Sequence, residues 1–282
     1  MKLASFRTAG RISWGVVEER TVADVGALLA DQYPDIRSIL AGQGLAAIPP
    51  VLSRAERYPR AGIEWRPPID NPSKILCIGL NYETHRKETG RAEAAYPAVF
   101  TRFADSQVGH GANIVRPRVS TDLDYEGELA VVIGRAGRYI SEAKAMEHVA
   151  GYACYNDATL RDWQRHTHQF TPGKNFPGTG AFGPYLLTAD EVADYTAFRL
   201  MTRVNGLIVQ DARLDQLIFP IPRLIAYCSS FTPLSPGDII ATGTPGGVGF
   251  KRTPPVFLQP GDTVEVHIQG LAILSNHVVD EN

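Results

Sequence analysis

The apolar positions of the chain fall into short runs broken by glycine, proline and polar turn residues. From Lys74 onward these runs read as strands: "KILCIGLNY", "AVF", "ELAVVIG", "VAGYACYND", "YLLT", "FRLMTRVNGLIVQ", "DIIATG" and "DTVEVHIQGLAILSNHVV". Runs of four to eight apolar, β-branched or aromatic residues between turn signals are the mark of strands. Helical spacing is rarer: "SEAKAMEHV", with Ser141 as a candidate N-cap, and "PIPRLIAYCSSF". The first 70 or so residues pattern differently. Two or three short strands are followed by a helix from about Ala23, then by two short helices interrupted at Pro49-Pro50. The proline-rich "WRPPIDNPSK" reads as a linker, so the expected division is a small N-terminal α+β domain over 1–70 and a second domain over 71–282. The strands do not alternate regularly with helices, which argues against a doubly wound parallel sheet and for a β-rich α+β protein with a mixed-sheet sandwich or roll.

Composition narrows the function classes. The chain has 282 residues, 44% apolar and 21% charged, and a formal net charge of −2. That balance offers no field for nucleic acid or an anionic membrane surface. No stretch approaches the roughly 18 apolar residues of a membrane span, and the first residues carry no apolar h-region of a secretory signal. The 26 glycines and 20 prolines suit a turn-rich β protein. Three cysteines, Cys77, Cys154 and Cys228, are widely spaced and odd in number; Cys77 and Cys154 lie in apolar runs, which predicts buried free thiols. A cytoplasmic protein acting on a small molecule is the expectation.

The segment "STDLDYEGELAVVIG" carries the first chemistry: Glu126 and Glu128 stand two residues apart at the mouth of a run that enters the core. On a strand these side chains share a face, ~6–7 Å apart along the chain. Two carboxylates so placed disfavour each other's ionisation unless a positive group lies nearby, either an arginine or a divalent cation. "VAGYACYNDATLRDWQ" ends another apolar strand on Asp157, with Arg161, Asp162 and Gln164 opening a helical turn. Three carboxylates from two strand ends form an oxygen-only site that suits Mg²⁺ or Mn²⁺ equally. In "CIGLNYETHRKETG", His85 and Glu88 sit one helical turn apart, where a carboxylate can orient an imidazole as a general base. Gly90 predicts that the turn stops at once, as a lid would. "GKNFPGTGAFGP" and "ATGTPGGVG" lack a phosphate-loop ending; they are turns, or their amides with Lys174 and Thr244 bind an oxyanion.

Together the segments "GLNYETHRKE", "DYEGELAVVIG", "YNDATLRDWQ", "GKNFPGTGAFGP" and "LSPGDIIATGTPGGVG", in that order, resemble the fumarylacetoacetate hydrolase family from Lys74 to the C-terminus. The resemblance implies a mixed-sheet roll, a homodimer, and a Mg²⁺ or Mn²⁺ ion held by Glu126, Glu128 and Asp157. It implies that His85 and Glu88 activate water, that Lys174 works beside the metal, and that Tyr82, Gln164 and Thr244 face a keto-acid substrate. The implied activity is hydrolysis of a carbon–carbon bond in a 2,4-diketo acid; isomerisation or decarboxylation through an enolate is the alternative. Arg102 and Phe103 depart from a Lys-Pro pair common in the family. Arg102, with His110, is therefore expected at the far end of the pocket, receiving a second carboxylate.

Overall fold

The computed structural model describes residues 1–282. Its framework is a twelve-stranded mixed sheet packed against a five-stranded one. At the centre of the large sheet lies Gly127–Ile133, paired antiparallel with Val149–Asn156 on one side and with Ile239–Ala241 on the other. Every residue of Gly127–Ile133 is buried, as its unbroken apolar sequence requires. Ile239–Ala241 runs parallel to Ile75–Gly79, and Ala98–Arg102 closes that edge. The smaller sheet contains the hairpin Arg199–Val204 and Leu207–Arg213, turned at Asn205-Gly206 with both φ values positive (51° and 80°), the turn that Asn-Gly favours. Thr263–Ile268, Ala272–Asp280 and Ile114–Arg116 complete it. Between the two sheets lies the larger apolar core, including Leu129, Val131, Cys154, Leu200 and Val266. The β-rich α+β class read from the sequence is the class observed.

The composition change near residue 70 does not mark a separate body in space. Lys2–Thr8 pairs with Gly180–Thr188, so the N-terminal strands extend the same large sheet. Leu3, Trp14 and Ile39 share a core with Ile75, Cys77 and Ala130. The helix expected from Ala23 is instead the strand Thr21–Asp24, paired with Glu56–Pro59, and then a single helical turn at Gly26–Leu29. Asp24 explains the change. Its buried carboxylate accepts hydrogen bonds from Ser13 and the Ala27 amide and pairs with Arg11, which holds it at a strand end. Glu142–His148 is a 3₁₀ helix with no side-chain cap from Ser141, whereas Ile221–Phe231 is the α-helix its spacing predicts. All three cysteines are free and buried. No helix is long and apolar enough to cross a membrane.

Candidate active site

Strand register brings the three acidic residues together. Gly127 pairs with Asn156, so the residues flanking that pair, Glu126 and Asp157, meet at one sheet end; the Asp157 amide donates to the Glu126 carbonyl at 2.8 Å. Carboxylate oxygens of Glu126, Glu128 and Asp157 all lie within 4.8 Å of one another, and all three residues are buried. The residue between the glutamates has to be small: a Cβ on Gly127 would lie 2.0 Å from Thr202 Oγ1 of the other sheet.

Buried cations balance most of this charge. Lys174 Nζ reaches Glu126 Oε2 at 2.7 Å and Asp157 Oδ2 at 2.6 Å. Arg161 spans Asp124 and Glu126, at 2.8 and 2.6 Å. Both answers weighed for the paired glutamates thus coexist: an arginine on one, and a carboxylate trio suited to a cation. Glu128 alone pairs with no cation; its support is the Gly243 amide at 2.9 Å. Their acidities diverge accordingly. Burial opposes ionisation of Glu126, but Arg161 and Lys174, with a smaller contribution from His85, hold it at about 2. Burial and the Asp157 and Glu126 charges push Glu128 well above the usual carboxylate range. Burial works against the charge on Lys174 too, yet Asp157 and Glu126 outweigh it and raise its pKa, so it is a cation here. A compact set of hard oxygen donors, one of them without a positive partner, fits Mg²⁺ or Mn²⁺.

His85 and Glu88 lie on the short helix Glu83–Glu88, which ends before Gly90 at φ +69°. His85 Nδ1 is 2.7 Å from Glu88 Oε1. A carboxylate partner places the proton on Nδ1 and leaves Nε2 as the free acceptor. This helix is tied to the glycine-rich loop after Ile239–Ala241: the Gly246 amide donates to Thr84 Oγ1 at 3.0 Å, and the Gly247 amide to Glu88 Oε2 at 2.9 Å. Gly247 (φ +104°) has no room for a side chain, since a Cβ would lie 2.2 Å from the Val209 carbonyl oxygen.

A cavity of about 520 Å³ opens over the acidic floor, lined by His85, Glu126, Glu128, Gln164 and Thr244 among others. Gln164 Oε1 accepts from Arg161 at 3.1 Å, leaving its amide NH₂ for a ligand. The Thr244 hydroxyl donates to the Gly127 carbonyl and accepts from Gln210, so its proton is already committed. Tyr82 is buried beside the lid helix; its hydroxyl has no hydrogen-bond partner, and burial together with the Glu128 charge raises its pKa.

Arg102 is not at the far end of the cavity. Fully buried, it sits behind Asp157, 2.6 Å from Oδ1, and also donates to Thr179 Oγ1 and the Ala158 carbonyl. His110 is equally remote: it accepts from the Ser275 amide and packs edge-on against Trp65. Sequence reasoning assigned Arg161 no role beyond a helical turn. Its place four residues after the strand-terminal Asp157 was the available signal, because that turn folds back beside Glu126.

A family model for the C-terminal part of fumarylacetoacetate hydrolase matches residues 74–279. The chain belongs to the fumarylacetoacetate hydrolase family. Among curated proteins it is 43% identical over 223 residues to the mitochondrial oxaloacetate tautomerase FAHD2A of Bos taurus, covering 78% of this chain and 71% of that protein. It is also 43% identical over 227 residues to the oxaloacetate tautomerase YisK of Bacillus subtilis, covering 78% and 75%. Among solved structures, a fumarylacetoacetate hydrolase from Exiguobacterium antarcticum superimposes with a TM-score of 0.89 at 35% identity over the whole of both chains. The maleylpyruvate hydrolase of Sphingobium, solved with manganese(II) and pyruvate, gives 0.84 at 30% identity, again over both whole chains.

Proposed function

We infer that this family member is a divalent-metal-dependent enzyme that interconverts keto and enol forms of an oxaloacetate-type 2-keto dicarboxylic acid. The observation that carries the reading is the cavity itself, which the Glu88-paired His85 lines together with Glu126 and Glu128 of the buried carboxylate trio. The curated relatives named for oxaloacetate tautomerisation support the choice of substrate. Glu126, Glu128 and Asp157 would hold the cation, which when bound orients the keto-acid end of the substrate and draws electron density from its keto oxygen.

The remaining work belongs to protein groups. His85 Nε2 takes the proton from the carbon beside the keto group, and Glu88 stabilises the resulting imidazolium through Nδ1. The substrate oxygen gathers negative charge and completes the enol by taking a proton from solvent, while Lys174, buried behind the floor, holds Glu126 and Asp157 in place. Gln164 offers its amide NH₂ to a substrate carboxylate. Return to the keto form uses the same groups in reverse.

Hydrolysis of a 2,4-diketo acid is the second reading. It is favoured by the His85–Glu88 pair, which is equally suited to taking a proton from water, and by the likeness to maleylpyruvate hydrolase. One experiment separates the two. With Mg²⁺ or Mn²⁺ supplied, oxaloacetate enol and an acylpyruvate are incubated in ¹⁸O-water, followed by absorbance and by product mass. Faster enol decay over the spontaneous rate with the four-carbon skeleton intact, apart from exchange of the keto oxygen with the solvent, supports tautomerisation. Two acid fragments, with label in the new carboxylate of the non-pyruvate one, give the activity to hydrolysis, and no turnover of either compound overturns both readings.

A further inference from the structure

Beyond the acidic floor the cavity wall changes sign. Arg165 and Lys251 line it, and no carboxylate lies within salt-bridge distance of either. Both are gathered around one aromatic ring. Phe250 has the Arg165 guanidinium 4.4 Å and the Lys251 ammonium 5.4 Å from its centroid, with the Arg161 guanidinium at 4.3 Å. Cation–π attraction orients such groups but leaves their hydrogen-bond donors free. Arg161 adds a second observation: it is buried, and its Nη2 has no partner. Three cations on one ring, two without a counter-ion and the third with a spare buried donor, form a prepared place for an anion. A cleft that runs from carboxylates to cations sets the orientation of a ligand charged at both ends.

We propose that Arg165 and Lys251, held on Phe250 at the outer wall, form the subsite for the second carboxylate of the substrate, and that this subsite selects keto dioic acids over monocarboxylic keto acids of the same length. The proposal rests on the keto-acid reading above, which anchors the first carboxylate over the floor. Arg161, 2.6 Å from Glu126, and Arg165 share the Phe250 ring, at 4.3 and 4.4 Å from its centroid, so the acidic floor and the outer cations are joined through one aromatic side chain. Arg102, the residue that sequence reasoning assigned to this task, is fully committed beneath Asp157.

The test is calorimetric binding to the Mn²⁺-loaded protein of 2-oxoadipate and of 2-oxohexanoate, which match in length but differ in the terminal carboxylate. The dioate is expected to bind more tightly. The dioate-to-monoacid affinity ratio should fall about fivefold in Arg165→Ala or Lys251→Ala and about twentyfold in the double variant, the scale of exposed ion pairs. Arg165→Lys with Lys251→Arg should retain most of the ratio. If both acids bind and the ratio is the same in the wild type and the double alanine variant, the subsite is wrong while the keto-acid reading stands. If neither acid binds, the keto-acid reading fails and the subsite falls with it.

Discussion

The floor and the lid of the cavity are built on different principles. Glu126, Glu128 and Asp157 sit at the ends of central, buried strands; Arg102, Arg161 and Lys174 clamp Glu126 and Asp157 from behind, and the Gly243 amide holds Glu128. His85 and Glu88 stand on a six-residue helix that lacks a side-chain cap, joined to the opposite loop by the amides of Gly246 and Gly247. The floor is therefore part of what keeps the protein folded, whereas the lid is a light attachment to it. Damage to the floor should register first in stability, and damage to the lid first in turnover.

Arg102→Ala should have the largest effect. It removes one of the two buried cations on the Asp157 carboxylate, leaving Lys174 alone on it, and breaking a buried pair costs about 3–5 kcal/mol. Urea denaturation measures it; an unchanged midpoint with a raised KM would instead return Arg102 to the substrate. For the lid, His85→Ala should lower kcat by about 10²–10⁴-fold while the denaturation midpoint stays near wild type. Gly247→Ala combines both regions: a side chain at φ +104° against the Val209 carbonyl should cost about 1–3 kcal/mol and displace the amide that holds Glu88. Stability and kcat measured on the same sample should fall together. Thr84→Val removes one hydrogen bond to the Gly246 amide, worth about 1 kcal/mol at most, and should leave the unfolding midpoint nearly still with a several-fold loss of kcat. A larger effect on stability than on kcat would blur the distinction between floor and lid.

The same contrast explains what could be read from the chain. The apolar runs ending on Glu126–Glu128 and on Asp157 were legible because strand burial is a local signal, and the helix Ile221–Phe231 was legible from its spacing. The run Phe198–Gln210, by contrast, was read undivided and is a hairpin turned at Asn205-Gly206. The partners of those carboxylates were not legible. Arg102 meets Asp157 through the order of strands in the large sheet, which no spacing encodes, so a buried clamp was assigned to the far end of the pocket. The end of Thr21–Asp24, from about Ala23, read as the start of a helix because its strand partner, Glu56–Pro59, lies far along the chain. The division near residue 70 follows a real change in composition, and the family match begins at 74, yet Lys2–Thr8 crosses that division to pair with Gly180–Thr188. The cationic outer wall was missed because Arg165 and Lys251 come from separate segments and become a unit only around Phe250.

The central claim is that Glu126, Glu128 and Asp157 form a divalent-cation site, with Glu128 the carboxylate that lacks any other positive partner. Titration of Mn²⁺ into the wild-type protein and into Glu128→Gln, followed by calorimetry and by thermal unfolding, tests it most directly. The account predicts one ion per chain in the wild type, with stabilisation of about 4 kcal/mol at a thousandfold excess over Kd, and loss of both in a Glu128→Gln protein that still folds. Equal Mn²⁺ affinity and equal stabilisation in the two proteins would contradict it.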